Sequence, residues 1–187
     1  MLKNLYIFSF LKNRGITLFF LFSLIWIKEL NYLFYDINQS PDFDKYFIYL
    51  EHFFSGVPTN REHGLLYYYL QSLHLNFFYS GQLNYELAIH KSVMNVNFYF
   101  FIIGLIGMYK LLKFLKFTEN SIYLTLIFLN FFPPAISIRL VFKPEILAFS
   151  LFPWIVYLFE KFKNKEKIKY LILSIPLIVS TISLKGN

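Results

Sequence analysis

Five apolar runs, separated by short charged segments, constrain this chain more than any other feature of its sequence. They span residues 15–34, 93–109, 121–138, 146–159 and about 170–184. Roughly 20 apolar residues in a helix cross the hydrocarbon core of a bilayer, and soluble domains carry about 25% charged residues. Only 16% of the residues here are charged. The sequence therefore predicts an all-α integral membrane protein, with about five transmembrane helices in one membrane domain.

Two lysine clusters orient these spans. They are Lys110, Lys113 and Lys116, and then Lys161, Lys163, Lys165, Lys167 and Lys169. Lys and Arg concentrate in cytoplasmic loops, so both clusters belong on the same side as the basic N-terminus. That requires the further apolar segment at 65–79 not to cross. We therefore expect 65–79 to be a re-entrant or interface-lying helix, and the N-terminus to be cytoplasmic. The expected location is a plasma membrane, the inner membrane of a bacterium.

The outer loop at 36–64 is the longest polar segment of the chain. Ser40-Pro41-Asp42 is typical of a helix start. The apolar residues that follow, from Phe43 to Phe54, recur at spacings of three and four. Such a stripe predicts an amphipathic helix lying in the membrane interface. Together with 65–79, the first outer loop thus holds one or two interfacial helices.

Polar side chains from distant parts of the chain fall on the outer side in this topology. They are Asp36, Asp42 and Asp44; Glu62 and His63; Arg139, Lys143 and Glu145; and Lys185. Carboxylates near an interface can act as general bases, and Arg or Lys at that depth can bind a phosphate. The plainer alternative for each is a solvated loop residue or a helix cap. Their convergence on one face favours a site.

Other classes of chemistry find little support. The chain has no cysteine, which excludes a disulfide framework, a thiol nucleophile and a Cys-ligated zinc site. Its net charge of +7 is compatible with nucleic acid, but the basic residues flank apolar runs, so no nucleic-acid partner is expected. No cofactor or metal ligand is assigned. A divalent metal near His52 and His63 is left open, although their spacing matches no strong motif.

Four short motifs resemble those of the GT-C superfamily of membrane glycosyltransferases, which includes protein O-mannosyltransferases and the lipid A aminoarabinose transferase. Asp42-Phe43-Asp44-Lys45-Tyr46 is similar to an acidic D-E-x-x-Y motif in the first outer loop, with Phe43 at the second acid. Glu62-His63-Gly64-Leu65-Leu66-Tyr67-Tyr68-Tyr69 resembles E-K-P-P-L-x-Y-W without its prolines. Lys143-Pro144-Glu145 resembles R-P-D or K-P-E, and Ser183-Leu184-Lys185-Gly186 resembles T-K-G in part.

This resemblance implies transfer of a sugar from a polyprenyl-phosphate-linked donor at the outer or periplasmic face. It implies a catalytic carboxylate at Asp42 or Asp44. Substrate-binding roles would fall to Glu62, His63, Arg139, Lys143, Glu145 and Lys185, with the three cations on the donor phosphate. Partners would be the lipid-linked sugar and membrane lipid. Members of the family are longer, so the resemblance also implies that this chain is the N-terminal part of such a protein.

Two other interpretations stay open. One is a non-enzymatic polytopic membrane protein, such as part of a transporter or flippase, and the other is an inactive fragment. Transporters place ionisable residues and broken helices near the bilayer midplane. The mid-span positions of this sequence are nearly free of charge, and the polar groups other than the lysine clusters collect at the outer boundary, which favours a site at the membrane surface.

Overall fold

The computed structural model describes residues 15–29, 48, 50, 65–81, 84–165 and 167–182. This part of the chain forms seven α-helices and no strand, so the all-α prediction is confirmed. The helices are α1 (15–29), α2 (Leu65–Tyr79), α3 (Tyr85–Phe114), α4 (Glu119–Phe131), α5 (Pro133–Leu140), α6 (Glu145–Lys165) and α7 (Ile168–Ile182).

Side-chain caps set where two of these helices begin. The amide oxygen of Asn84 accepts from the Leu87 N–H at 3.0 Å at the start of α3. The Thr118 hydroxyl accepts from the Ser121 N–H at 3.3 Å at the start of α4. Each cap satisfies one of the N–H groups that a helix start leaves unpaired. Because of its cap, α3 begins eight residues before the apolar run at 93–109.

The run at 121–138 folds as two helices rather than one, because Pro133-Pro134 interrupts it. A proline lacks an N–H and keeps the residue before it out of helical conformation. Phe132 is accordingly extended, with φ −67° and ψ 121°. The axes of α4 and α5 differ by 57° across this break.

Helix α3 packs against α6 in the same direction. The Phe101 and Phe149 rings stack with centroids 5.3 Å apart, and further along, the Phe114 and Tyr157 rings meet at 5.8 Å. Gly107 lies between these contacts, and a Cβ there would come within 2.7 Å of the Trp154 ring. Small residues of this kind let two helices approach closely. The parallel packing brings both lysine clusters to the same end of the bundle.

Helix α2 lies across α3 rather than along it. Tyr67, His74 and Tyr79 of α2 bond Asn97, Ser92 and Asn95 of α3, respectively. Twelve residues of helix advance about 18 Å, and five advance about 8 Å. A long stretch of α2 thus meets a short stretch of α3, which requires a steep crossing angle.

One described helix is long and apolar enough to cross a bilayer, at Leu87–Phe114 within α3. The bent pair α4 and α5 passes the same criterion only when counted as one span, and the apolar helix α7 is shorter. The predicted runs at 15–34 and 170–184 extend past the described residues. The described chain therefore shows one clear span, fewer than the five that the sequence predicts.

The bundle has an apolar exterior as well as an apolar core. Large apolar side chains are exposed on every one of the longer helices, such as Phe22, Phe77, Ile103, Phe152 and Ile172. The interior is mainly apolar too, and among its core residues it also holds some polar and charged side chains. These are Ser23, Gln71, Ser72, Ser92, Asn97, Asn130, Arg139, Ser150 and Ser174. An apolar exterior on this scale marks a surface that contacts lipid or another protein.

Candidate functional site

Arg139 is buried in the last turn of α5, with only 2% of its surface exposed. Its guanidinium carbon lies 4.4 Å from the centroid of the Phe101 ring, and its Nη2 donates to the backbone oxygen of Asn130 at 3.0 Å. In the described part of the chain, Nε and Nη1 have no hydrogen-bond partner. Unpaired donors on a buried charge are costly, so they mark a site that a ligand would satisfy.

The break before α5 supplies the one acceptor that Arg139 has. In a continuous helix, the oxygen of Asn130 would accept from the N–H of residue 134. Residue 134 is a proline, which has no N–H. The carbonyl is therefore left open, and the guanidinium of Arg139 takes it. Pro133-Pro134 thus both bends the chain and creates the anchor for the buried cation.

Asn97 of α3 binds the backbone at the C-terminal end of α5. Its Nδ2 donates to the backbone oxygens of Arg139 and Val141, at 3.2 and 3.0 Å, and the asparagine is fully buried. Its Oδ1 accepts from the Tyr67 hydroxyl at 2.7 Å. Gln71 in turn donates to the same hydroxyl at 3.0 Å, while its Oε1 is unpaired within the described residues. The two carbonyls that end α5 are satisfied by a side chain of another helix.

Asn130 extends the network to α1. Its Nδ2 donates to the Ser23 hydroxyl at 2.6 Å, and that hydroxyl donates to the backbone oxygen of Phe20. We call the six buried side chains of this network the polar belt: Ser23, Tyr67, Gln71, Asn97, Asn130 and Arg139. The belt joins α1, α2, α3, α4 and α5. The Phe101 ring, over which the Arg139 guanidinium lies, is 13 residues before the end of α3. It is therefore about 20 Å from the lysine-rich end.

Two more predicted site residues lie just beyond Arg139. Lys143 is half-buried in the link between α5 and α6, and Glu145 is exposed in the first turn of α6. The Lys143 N–H donates to the backbone oxygen of Val141 at 2.9 Å, which tightens the link. The structure therefore brings Arg139, Lys143 and Glu145 to one junction. The sequence predicted Arg139 at the outer side of the spans but not that its side chain is buried within the bundle.

A groove of 380 Å³ opens beside Glu145 between four helices. Its lining residues are Met108, Ile138, Glu145, Ala148, Phe149, Phe152, Pro153 and Thr181. The Glu145 carboxylate and the Thr181 hydroxyl are the polar groups of an otherwise apolar surface. Such a groove suits a long hydrocarbon chain with a polar head at one end.

The remaining predicted residues cannot be placed from the described chain. Asp36, Asp42, Asp44, Glu62, His63 and Lys185 lie outside the described residues, as do His52 and most of the predicted interface helix. No group of three potential metal ligands occurs among the residues that are described. The acidic half of the predicted site and the metal alternative therefore stay predictions.

His74 forms a separate polar contact on α2. Its Nδ1 lies 2.8 Å from the Ser92 hydroxyl, and its ring packs against Phe78 with centroids 4.7 Å apart. Burial lowers the pKa of His74 below its ordinary value, which favours the neutral ring. The histidine thus acts as a neutral hydrogen-bonding group between α2 and α3.

Sequence reasoning missed most of the polar belt. Asn97 and Asn130 lie within apolar runs, and an amide at such a position is a signal for a contact between helices. Gln71 is likewise a polar side chain within the apolar segment at 65–79. Which of these side chains meet is set by tertiary packing, which no spacing in the sequence reveals.

Family models, curated proteins and solved structures were compared with this chain, and none matches it. The functional argument therefore rests on the geometry of the polar belt and the groove.

Proposed function

We propose that this chain belongs to a membrane glycosyltransferase, which transfers a sugar from a polyprenyl-phosphate-linked donor at the outer face of a bacterial plasma membrane. The observation that carries the proposal is Arg139, a buried guanidinium with two unpaired nitrogens. Arg139 directly follows Ile138, which lines an apolar groove together with Glu145, and Lys143 lies in the link between these two lining residues. A phosphate joined to a long hydrocarbon chain matches both parts.

The apolar exterior supports placing the chain in a membrane as a bundle of about five spans. Exposed Phe, Ile and Leu side chains meet lipid tails at no cost, while amides and hydroxyls find partners only inside the bundle. The break in α4–α5 is tolerated because Arg139 takes up the Asn130 carbonyl that it frees, and Asn97 satisfies the carbonyls at the far end of α5.

The helix directions support the proposed sidedness. Since α3 and α6 run in parallel, the lysines after each of them share one end, which is the cytoplasmic end under the positive-inside rule. Arg139 lies toward the opposite face. The steep crossing of α2 over α3 supports a helix at 65–79 that does not span the bilayer. The N-terminus is then cytoplasmic.

The proposed reaction uses the belt as a phosphate clamp. Two N–H groups of a guanidinium can bind two oxygens of one phosphate, and Lys143 adds a second positive charge. An acceptor hydroxyl attacks the anomeric carbon of the sugar and loses its proton to Asp42 or Asp44. The bond from that carbon to the phosphate oxygen breaks, and polyprenyl phosphate leaves with both electrons of the bond. Arg139 and Lys143 stabilise the charge that develops on it.

The other predicted residues complete this proposal. Glu62, His63 and Glu145 would position the donor or the acceptor. Lys185 would supply a third cation for the phosphate, because it follows by four positions Thr181, which lines the groove. The groove would hold the first isoprene units of the donor.

A carrier for a lipid phosphate is the second candidate. The broken helix pair and the buried Arg139 beside it favour this alternative, because carriers bind anions at discontinuous helices within the bilayer. Both candidates use the same clamp. They differ in whether a covalent bond is broken.

The test uses the protein carrying this chain, reconstituted in liposomes with a radiolabelled polyprenyl-phosphate sugar. Bound donor and released polyprenyl phosphate are measured separately. We expect Lys143→Ala and Arg139→Gln to weaken donor binding at least tenfold. The control is Lys91→Gln, at another lysine that is not fully exposed, and it should leave donor binding unchanged. Donor affinity that survives Lys143→Ala refutes the clamp.

The catalytic step has its own variants. Asp42→Asn and Asp44→Asn should bind donor normally, and at least one of them should lose transfer. If both transfer at the wild-type rate, the catalytic assignment is wrong. Movement of intact donor between leaflets, with no polyprenyl phosphate released, would establish the carrier instead.

A further inference from the structure

A lysine-rich face closes the end of the bundle opposite the polar belt. Its described members are Lys110, Lys113, Lys116, Lys161, Lys163, Lys167 and Lys169. They lie on the last turns of α3 and α6, at the start of α7 and in the two links between helices. The ring contact between Phe114, at the end of α3, and Tyr157, one turn before Lys161, brings the two clusters to the same end of the bundle. Parallel packing of α3 and α6 thus merges two short lysine clusters into one surface.

The lysines of this face outnumber the carboxylates near them. The described carboxylates at this end are Glu119 and Glu160. Glu119 lies 3.0 Å from Lys113, and that is the one ion pair found in the described chain. Lys110 and Lys163 are exposed, and neither forms an ion pair with a carboxylate of the described residues. Like charges gathered on one surface repel each other, so an anion that binds here gains both attraction and relief of repulsion.

Aromatic rings hold part of the face in place. The ammonium group of Lys161 lies 4.6 Å from the ring centroid of Tyr157 and 5.3 Å from that of Tyr170. The ammonium group of Lys169 also lies 5.3 Å from the Tyr170 ring centroid. Lys161 therefore connects α6 to α7 through two rings. The cations of this surface are arranged by the fold.

Exposed apolar side chains surround the same lysines. Leu115, Phe117, Phe159 and Ile168 are exposed by 46%, 52%, 43% and 66%, respectively. A soluble acidic peptide or a nucleic acid would leave these side chains in water. An anionic lipid meets the lysines with its phosphate and the apolar side chains with its acyl chains. The mixture of both kinds of group therefore selects a lipid.

We propose that the lysine face binds the phosphodiester head groups of anionic phospholipids and retains them as a bound shell around this end of the bundle. This goes beyond the orientation that positive loops impose during insertion, because it requires selective enrichment of lipid around the folded protein. It is independent of sugar transfer, and it requires only that the chain is embedded in a membrane.

The test compares two double variants that remove equal charge. The chain is reconstituted in vesicles of phosphatidylcholine and phosphatidylglycerol at 4:1, extracted in mild detergent, and its bound lipids are counted by mass spectrometry. Lys110→Gln with Lys163→Gln alters the lysine face and spares the Lys113–Glu119 pair. The control, Lys28→Gln with Lys91→Gln, alters lysines of α1 and α3 outside it.

We expect wild-type protein to hold phosphatidylglycerol above its bulk share, and less of it in high salt. The lysine-face variant should weaken this retention by roughly two- to fivefold per lysine removed. The control should match wild type, and Lys110→Arg with Lys163→Arg should keep the enrichment. Because the chain has no cysteine, labelling of Asn164→Cys reports whether each variant keeps its orientation.

Enrichment that equals the bulk ratio in wild type would overturn the proposal. So would equal losses in the lysine-face variant and the control, or retention that salt does not change. None of these outcomes bears on donor binding at Arg139, so the two proposals fail separately.

Discussion

Asn97→Ala tests whether the polar belt holds the bundle together. The substitution removes the hydrogen bond from Tyr67 and both bonds to the backbone oxygens of residues 139 and 141. Each buried hydrogen bond contributes about 0.5–1.5 kcal/mol, and about 0.6 on average in membrane helices. The two orphaned carbonyls and the small cavity add to this. We expect a loss of about 2–4 kcal/mol in the free energy of unfolding.

The assay is reversible unfolding in mixed micelles, followed by circular dichroism. Tyr67→Phe and the double variant complete a cycle, which should show about 0.5–2 kcal/mol of coupling between the two residues. Asn164→Ala is the matched control. Its side chain bonds the backbone oxygen of Glu160 on the exposed end of α6, so its loss should change stability by under about 0.5 kcal/mol.

Asn97→Asp is a sharper test, because it preserves the shape of the side chain and replaces the donating Nδ2 group with an acceptor oxygen. A carboxylate would still accept from Tyr67, but it would face two carbonyl oxygens with no proton to donate. We expect the variant to be less stable than Asn97→Ala at neutral pH and to recover as acid protonates it. Equal stability of wild type and Asn97→Ala, or no coupling with Tyr67→Phe, refutes the reasoning.

Three further predictions address the rest of the bundle. Arg139→Met removes a buried charge with unpaired donors, so it should keep or raise stability, by up to about 3 kcal/mol in a thermal unfolding assay. Donor binding should be lost in the same variant. A loss of more than about 2 kcal/mol of stability would show that the charge is satisfied in the wild type. Gly107→Val should destabilise by about 1–3 kcal/mol, since its side chain would meet the Trp154 ring, whereas Gly15→Ala, with open space around it, should not. The pKa of His74 is lowered by burial, so the stabilising effect of its neutral form is present above about pH 6.5 and is lost as pH falls through the folded-state pKa. Unfolding midpoints at pH 7.5 and 5.5 should therefore differ more in wild type than in His74→Gln, and equal differences would refute this account.

Local chemistry explains the predictions that succeeded. The bend at Pro133-Pro134 follows from a missing N–H and a steric restriction on the preceding residue, both of which act within a few residues of chain. The helix at Leu65–Tyr79 has the bounds that its apolar segment predicts. The start of α3 differs from the predicted span because a capping Asn84 acts before apolar character begins.

Non-local packing explains what was missed. The sequence predicts Arg139 as an outer-side cation, because it follows an apolar run and precedes Lys143, but it does not predict that the side chain is buried. It lies inside because the bend turns α5 back against α3, where Phe101 and the Asn130 carbonyl receive it. Nothing near position 139 encodes the position of Phe101, which lies 38 residues earlier.

The apolar runs and prolines by themselves determined that the chain is helical, where one helix breaks, and that lysines flank the spans. Those properties depend on hydropathy, backbone sterics and charge, each of which acts locally. Only the tertiary structure decided that α3 and α6 pack directly against each other, that α2 crosses α3 steeply, and that five other polar side chains join Arg139 in one belt. The reason is physical: helix direction and side-chain pairing are set by contacts between residues far apart in the chain.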